Sequence, residues 1–358
     1  MDLENLPLED LPLEVLVHMA LQMDIPEVLR FCQLSKRINR KVCRRKEFWK
    51  RLLVGLPSTE PWSLYKDNKF NWLLYFILKY PNKGWDWVAL SRNPNITWEI
   101  VQQYPNLPWN WAFLSQNPNI TWEIIQANPD KPWIWEGLSR NPNITLEIVQ
   151  SNPDLPWSWN GLSSNPNITS EFIKNNLDKL WDWNELSQNP NITWEIVQNN
   201  PNKDWSWYWL SRHPNITWET IQANPNKPWN WWGLSSNPNI TWEIVQSNPE
   251  KEWNWYGLSQ NPNITWEIVR YNLDKPWDWG GLSENPNITW EIVKANLDKH
   301  WNWLGLSKNP NITWEIIQNN LDKNWSWYWL SRHPNITWED IYNNLDKPWD
   351  YVGLSFKI

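Results

Sequence analysis

The sequence predicts an all-α protein whose larger part is a helical solenoid, and two observations carry this prediction. Pro-Asn-Ile-Thr recurs every 24 residues in eleven copies, from Pro94 to Pro334, without a slip of register. A Trp-x-Trp pair separates successive copies, unbroken from Trp85 to Trp327 and reduced to Trp-x-Tyr in the last unit. Self-similarity at a short fixed period is the signature of a solenoid, in which each unit buries its apolar face against its neighbours.

Each unit carries the signals of two short helices. In the unit 93–116, Thr97 stands at an N-cap position, and Glu99 in the first turn complements the helix dipole. This helix is expected to end near Tyr104, because Pro105 disfavours helical geometry in the residue before it. A second helix of about two turns, partly in 3-10 geometry, is expected within residues 108–117.

Stacking of the units is expected to be obligatory, because isolated helices shorter than about 12 residues are marginal in water. Each Trp side chain can bury roughly 150–250 Å², so we interpret the repeated Trp residues as the packing between units. The alternative is an aromatic surface that stacks on sugars or grips a peptide. With stacked helices about 8–10 Å apart, twelve units predict a superhelix of about 100 Å along its axis, unless curvature shortens it.

One half of the unit resembles a known repeat family. The stretch Leu114-Ser-Gln-Asn-Pro-Asn-Ile-Thr121 is similar to the leucine-rich repeat variant, which also has a unit of 24 residues. The resemblance implies alternating α and 3-10 helices in a right-handed superhelix. It covers the period and this half of the unit, whereas the Trp-x-Trp half departs from that family.

The N-terminal part has a different pattern. Pro12 at a helix start and Asp24 before Ile25 are helix N-terminal signals. Roughly forty residues bury little surface alone, so a partner is implied. Residues 11–53 predict two or three short amphipathic helices, drawn from four stretches: Leu11-Pro-Leu-Glu-Val-Leu16, Ile25-Pro-Glu-Val-Leu-Arg-Phe31, Leu34-Ser-Lys-Arg-Ile38 and Phe48-Trp-Lys-Arg-Leu-Leu53.

The order Leu-Pro-x-Glu, Asp-x-x-x-x-Leu, Leu-Ser-Lys-Arg and Phe-Trp-x-x-Leu across residues 8–53 resembles an F-box. F-box proteins use this segment to bind the Skp adaptor of a Skp-cullin-F-box ubiquitin ligase, and a C-terminal repeat domain to hold the substrate. F-box segments joined to repeat arrays are also a feature of giant DNA viruses of amoebae, which implies a viral source and the host cytoplasm. The resemblance implies that seven residues contact the adaptor or support that contact: Leu11, Pro12, Leu16, Ile25, Leu29, Leu34 and Trp49.

Positions that vary between units point to a binding surface. The position after Trp-x-Trp and the position four residues later are expected to share one face of the second helix. Their tolerance of Gly, Trp, Glu and Arg predicts that this face is exposed. Three consecutive units carry Tyr208, Trp232 and Tyr256 at the first position, with Arg212 beside them. Exposed aromatics beside Arg are enriched at interface centres, so this patch is the predicted partner-binding site; the alternative is neutral drift of a free surface.

Composition and charge narrow the function. The formal net charge is −7 and residues 1–68 are nearly neutral, so the acidic array argues against nucleic-acid binding. The most apolar run, residues 70–78, is about half as long as a membrane span and predicts a buried helix.

Cys32 and Cys43 are the only cysteines and no secretory leader is evident, which predicts a reducing compartment, the cytoplasm or the nucleus. We therefore interpret each Asn-Ile-Thr as turn and cap residues rather than a glycosylation site.

No pattern for catalysis is present. The histidines His18, His213, His300 and His333 lie far apart, and no Cys or His has the spacing of metal ligands. The Glu of Trp-Glu-Ile recurs from unit to unit, as a scaffold residue does. We therefore expect a protein that is not an enzyme and that needs neither metal nor cofactor.

The predicted organisation is an F-box domain at 1–54, a linker with a degenerate capping repeat at 55–92, and an eleven-unit array at 93–358. The predicted function is a substrate-recognition subunit of a Skp-cullin-F-box ubiquitin ligase, whose F-box binds the adaptor and whose array binds a target protein. The alternative is a non-catalytic interaction scaffold with an F-box that is degenerate or that sequesters the adaptor.

Overall fold

A computed structural model describes residue 11 and residues 13–52, 65–66 and 69–358. Two short antiparallel strands, Tyr65–Lys66 and Lys69–Phe70, lead into the buried helix Trp72–Lys79, as predicted for the apolar run. The N-terminal part forms the predicted short helices. Their bounds, including one π-helix, are Leu13–Leu21, Ile25–Gln33, Lys36–Ile38, Asn39–Cys43 (π) and Lys46–Leu52.

The repeat contains two layers of short α-helices, which confirms the all-α solenoid. One layer begins at the second aromatic residue of each Trp-x-Trp, and we call its members inner helices. They are Trp87–Arg92, Trp111–Leu114, Trp135–Arg140, Trp159–Ser163, Trp183–Leu186, Trp207–Arg212, Trp231–Ser235, Trp255–Gln260, Trp279–Glu284, Trp303–Leu306, Trp327–Ser331 and Tyr351–Ser355. The outer helices are Trp72–Lys79, Trp98–Gln103, Trp122–Ala127, Leu146–Ser151, Ser170–Asn175, Trp194–Asn199, Trp218–Ala223, Trp242–Ser247, Trp266–Tyr271, Trp290–Ala295, Trp314–Gln318 and Trp338–Tyr342.

Local signals place the outer helices as predicted. The helix Trp98–Gln103 ends before Tyr104, and Thr97 is its N-cap residue. In the next unit the Thr121 hydroxyl accepts the N–H of Ile124, and the same contact recurs in most other units. The sequence therefore determines the limits of the outer helices through Thr and Pro.

The inner helices are shorter than expected. The second helix of the unit 93–116 begins at Trp111 rather than near residue 108, because the Asn110 side chain caps it by accepting the N–H groups of Ala112 and Phe113. Trp109 is left outside the helix and donates its indole N–H to Tyr104 O at 2.9 Å. The expected 3-10 helix is not present as a separate element in the described residues; i,i+3 hydrogen bonds occur at helix ends and in the Asn-Pro-Asn turn.

The twelve units close into a ring. Within the array the backbone N–H of Asn110 donates to Ser91 Oγ of the preceding unit at 2.8 Å. The same bond joins the last unit to the first, since Asp86 N donates to Ser355 Oγ at 3.0 Å. We call this junction the seam. Because curvature brings the two ends together, the predicted length of about 100 Å along an axis is not reached.

The degenerate first unit completes the ring and does not cap an open end. Its outer helix Trp72–Lys79 contacts the last outer helix, with the Trp72 and Tyr342 ring centroids 5.4 Å apart. On its other side, Asn71 Nδ2 donates to Asn95 O at 2.8 Å. Because this unit has neighbours on both sides, the ring has no end that requires a capping unit.

The inner helices line the inner circumference. They approach one another closely at glycine positions: a Cβ on Gly161 would lie 2.7 Å from Glu136 O, and one on Gly281 would lie 2.8 Å from Tyr256 O. Successive outer helices lie farther apart. The more closely spaced layer of a curved array lies inside the curve, so the inner helices face the central opening.

A ladder of buried polar side chains, nine Asn, two His and one Lys, runs round the ring. In one unit, Asn117 Nδ2 donates to the carbonyl oxygens of Ser91, Asn93 and Ile96 at 2.9, 3.1 and 3.2 Å, and Asn117 Oδ1 accepts the N–H of Asn119 at 2.8 Å. Each rung thus ties two units together. The twelve ladder residues are Asn93, Asn117, Asn141, Asn165, Asn189, His213, Asn237, Asn261, Asn285, Asn309, His333 and Lys357, all buried.

The ladder crosses the seam, and three of its rungs titrate. Asn93 Nδ2 donates to the carbonyl oxygens of Ser355 and Lys357, both at 3.0 Å. The Nε2 atoms of His213 and His333 lie 3.1 and 3.0 Å from the carbonyl of the ladder residue one unit earlier, and burial lowers the pKa of both imidazoles. Lys357 Nζ donates to His333 O at 2.8 Å, and burial lowers the pKa of Lys357 to about 8.

We expect the ring to lose stability as the pH falls below about 6.5, the ordinary histidine value. Because the folded pKa of His213 and His333 is lowered, the unfolded chain binds protons first. The histidine contribution is therefore complete above the unfolded pKa and is lost as the pH falls towards the folded pKa. The melting temperature between about pH 7.5 and pH 5 measures this loss. The variant H213N/H333N, which carries the residue of the other rungs, should be less sensitive to acid; equal sensitivity would contradict the prediction.

The repeated Trp residues pack between units. Trp157, the first Trp of its pair, is buried and meets Trp135 edge to face, with centroids 5.2 Å apart, while Trp122 lies 5.9 Å away. Its indole N–H donates to Asn152 O at 2.8 Å. The repeated Trp residues therefore pack the units together. The alternative, a surface that stacks on sugars or grips a peptide, does not describe these buried rings.

The N-terminal helices are docked on the outer layer at the seam. The rings of Trp49 and Phe70 stack with centroids 5.6 Å apart, and Arg30 forms an ion pair with Glu339 at 3.0 Å. Glu339 belongs to the last outer helix and Phe70 precedes the first, so this segment spans the junction from outside.

The two cysteines are paired. Cys32 and Cys43 form a disulfide that joins the second helix to the π-helix. The Cα atoms of the two cysteines are 5.9 Å apart. This pairing differs from what the predicted reducing compartment favours. It arises because the two helices pack against each other in the N-terminal core.

Candidate functional site

The variable positions form the surface of the central opening. We call the residue after each Trp-x-Trp the first slot and the residue four positions later the second slot. The two slots are neighbours on each inner helix, as predicted: Arg140 pairs with Glu136 at 3.2 Å, and Gln260 donates to Tyr256 Oη at 2.8 Å. Together they make the inner surface.

The predicted aromatic patch is partly assembled. The Tyr208 and Trp232 rings lie with centroids 5.6 Å apart, and the Trp232 side chain is 51% exposed. Arg212 is exposed and donates to Tyr208 Oη at 3.4 Å. Tyr256 is half-buried and is tied to Gln260, with no described ring contact to Trp232. The structure therefore brings three of the four predicted residues together.

Trp209 belongs to this patch although the sequence reasoning did not assign it there. Its ring centroid lies 4.8 Å from that of Tyr208. Trp209 occupies a position where most units have Gly, and the inner helix Trp207–Arg212 is correspondingly farther from the preceding inner helix, Trp183–Leu186. The signal was the replacement of this Gly by Trp, which recurs at Trp329, five units later, where residues 325–339 repeat the sequence of residues 205–219.

Two cations on the inner surface, Arg140 and Lys308, are neutralised within the chain. Arg140 contacts Glu136 and also reaches Glu185, two units along the ring, at 3.9 Å. Lys308 pairs with Glu284 at 2.9 Å. The Lys308–Glu284 pair shows that second-slot side chains of neighbouring units come within reach of one another.

A second aromatic cluster lies beside the seam. Arg332 donates to Tyr328 Oη at 3.1 Å, and its guanidinium lies over the rings of Trp329 and Phe356 at 5.0 and 4.5 Å. Such contacts hold a guanidinium by cation–π attraction. The cluster is next to Arg92, which lies across the seam.

The proposed adaptor residues occupy different depths. Leu16 and Trp49 are inaccessible, Leu11, Ile25 and Leu29 are buried at 5–8% exposure, and Leu34 is 63% exposed. Pro12 lies outside the described residues. Buried members of this set can support an adaptor contact, whereas Leu34 is available to make one directly.

Two searches for other kinds of site gave negative results for the part of the chain that the structure describes. No group of three or more His, Cys, Asp or Glu side chains is placed to hold a metal ion. None of the described helices is long and apolar enough to cross a membrane.

In comparisons with known proteins, no protein family, no curated protein and no solved structure matches this chain. The F-box resemblance therefore depends on the N-terminal residues quoted above.

Proposed function

We propose that this protein is a substrate-recognition subunit of a Skp-cullin-F-box ubiquitin ligase. The N-terminal helices bind the Skp adaptor, and through it the cullin, while the ring binds a target protein. The compartment proposed with this function is the cytoplasm, in the host cell if the source is viral, with the nucleus as the alternative.

The observation that carries the proposal is the division of the molecule into two surfaces. The N-terminal helices contact the outer layer, through Phe70 and Glu339. The inner surface is formed by residues that differ from unit to unit and include the exposed Trp232. Such an arrangement allows one partner outside the ring and another in its opening.

The alternative function is a scaffold that binds or sequesters the adaptor without delivering a target. It is favoured by the disulfide between Cys32 and Cys43, which constrains the F-box-like helices in a way that the resemblance did not imply. Reconstitution with adaptor and cullin separates the two functions, because only a substrate receptor supports ubiquitylation of a captured protein.

Leu34→Glu is expected to weaken adaptor capture by the full-length protein about tenfold or more, because an exposed apolar anchor is replaced by a charge. The matched control is Leu180→Glu, which changes an 85% exposed leucine of the array. Both exposed substitutions should leave the free energy of unfolding within about 0.5 kcal/mol of the wild type. Purified adaptor and a binding titration provide the measurement. If the Leu34 variant bound the adaptor as tightly as the wild type, or if the wild type did not bind it, the adaptor would be removed from the proposal.

A further inference from the structure

A cavity opens on the inner surface at the seam, and we call it the seam pocket. Its volume is about 350 Å³, and its wall includes Arg332, Phe356, Arg92 and Phe113 from four consecutive units. The first two precede the seam and the last two follow it. The pocket therefore exists only because the ring is closed.

The pocket has two cationic groups without an anionic partner. Neither Arg92 nor Arg332 forms an ion pair with a carboxylate in the described part of the chain. Arg140 and Lys308, also on the inner surface, have carboxylate partners. Two guanidinium groups at one cavity repel each other and together attract an anion.

The remaining wall is mostly apolar, and Arg332 is held in place. Phe356, Phe113, Val88 and Ile358 line the pocket together with Asn93, whose side-chain amide already donates to Ser355 O and Lys357 O. Arg332 is positioned by the Tyr328 hydroxyl at 3.1 Å and by the Phe356 ring at 4.5 Å. A guanidinium that is already fixed loses less conformational freedom on binding. It therefore binds a planar anion more tightly than a mobile guanidinium does.

The central opening is wide enough for a polypeptide. With inner helices about 8–10 Å apart, twelve of them enclose a circle of roughly 30 Å between opposite helix axes. Side chains of both walls leave roughly 20 Å. A pocket of this size on such a wall accommodates one or two side chains of a segment that passes through the opening.

We propose that the seam pocket binds a protein segment in which a carboxylate side chain lies beside an aromatic or large aliphatic side chain. The carboxylate bridges Arg92 and Arg332, and the apolar side chain packs against Phe113 and Phe356. This inference rests on the proposed role of the ring in binding a target protein, and it does not depend on the adaptor contact.

The test uses the full-length chain and the peptide acetyl-Gly-Glu-Phe-Gly-amide, with binding followed by ligand-observed NMR. We expect the Glu-to-Gln peptide, and the variants R92Q and R332Q, to bind about tenfold or more weakly, because each change removes a charge-assisted hydrogen bond. Arg92 is exposed, so R92Q leaves the fold intact. The matched control is R140Q, since Arg140 occupies the second slot of another inner helix but already has Glu136 and Glu185 as carboxylate partners.

Several results would overturn the proposal. The Glu peptide could fail to bind, or it could bind R92Q and R332Q as tightly as the wild type. An equal loss of affinity in R140Q would indicate only a general attraction between opposite charges. Benzoate, a free aromatic carboxylate, should bind more weakly than the peptide; equal affinity would assign the pocket to small acids. Because no adaptor is present, a failure here is distinct from a failure of the Leu34 experiment.

Discussion

Replacing Asn117 by alanine is expected to lower the free energy of unfolding by about 3–5 kcal/mol, the largest effect of any single substitution considered. Asn117 is fully buried, and its Nδ2 donates to three carbonyl oxygens of the preceding unit. Alanine removes the donor to the Ser91 carbonyl and the acceptor of the Asn119 N–H, whereas the carbonyls of Asn93 and Ile96 each keep a second donor. Each buried group left unsatisfied costs about 1–3 kcal/mol. Denaturant unfolding of the full-length protein measures the change.

The chain itself supplies the control for this substitution. His213 and His333 occupy the position equivalent to Asn117 in two other units. Each places Nε2 against the carbonyl one unit earlier, while Nδ1 accepts a backbone N–H. Asn117→His should therefore keep most of the stability near pH 7.5, above the ordinary histidine pKa of about 6.5. If alanine and histidine were equally destabilising, the hydrogen bonds of the ladder would not be the cause.

Deleting one whole unit, residues 237–260, is expected to open the ring at the seam and to cost roughly 3–6 kcal/mol, because apolar side chains there lose part of their cover. The deletion keeps the repeat in register, since Asn261 takes the position of Asn237. An open solenoid would simply become shorter. A closed ring instead loses the share of the total curvature that the deleted unit contributes. That total curvature brings Trp85 to Tyr351, whose ring centroids are 5.0 Å apart.

A distance across the seam gives the decisive measurement. Spin labels at Val88 and Val352, both 40% exposed, should show a short, narrow distance in the full ring and a long, broad distribution after deletion. Labels at Gly280 and Leu304, in adjacent first slots away from the seam, should report the same short distance in both proteins. An unchanged seam distance would show that eleven units close as well as twelve.

Repetition in the sequence made much of the local structure predictable. The outer helix Trp98–Gln103 lies where Thr97 and Pro105 placed it, because caps and prolines act on the residues beside them. The exposed face of the inner helices was predicted from the variation between units at the position of Tyr208 and Trp232. The shorter inner helix from Trp111 was missed, because the same Asn110 that looks like part of a helix caps it instead.

The sequence by itself thus determined the all-α class, the period and the faces of the helices, since these follow from interactions within one unit. Only the tertiary structure decided that twelve units form a ring, because closure depends on a small difference in spacing between two helix layers, summed over every unit. Glycines such as Gly281 allow the inner helices to approach, whereas Trp209 and Trp329 hold them apart. Closure then placed Arg332 beside Arg92, residues remote in the chain that no pattern within a unit relates.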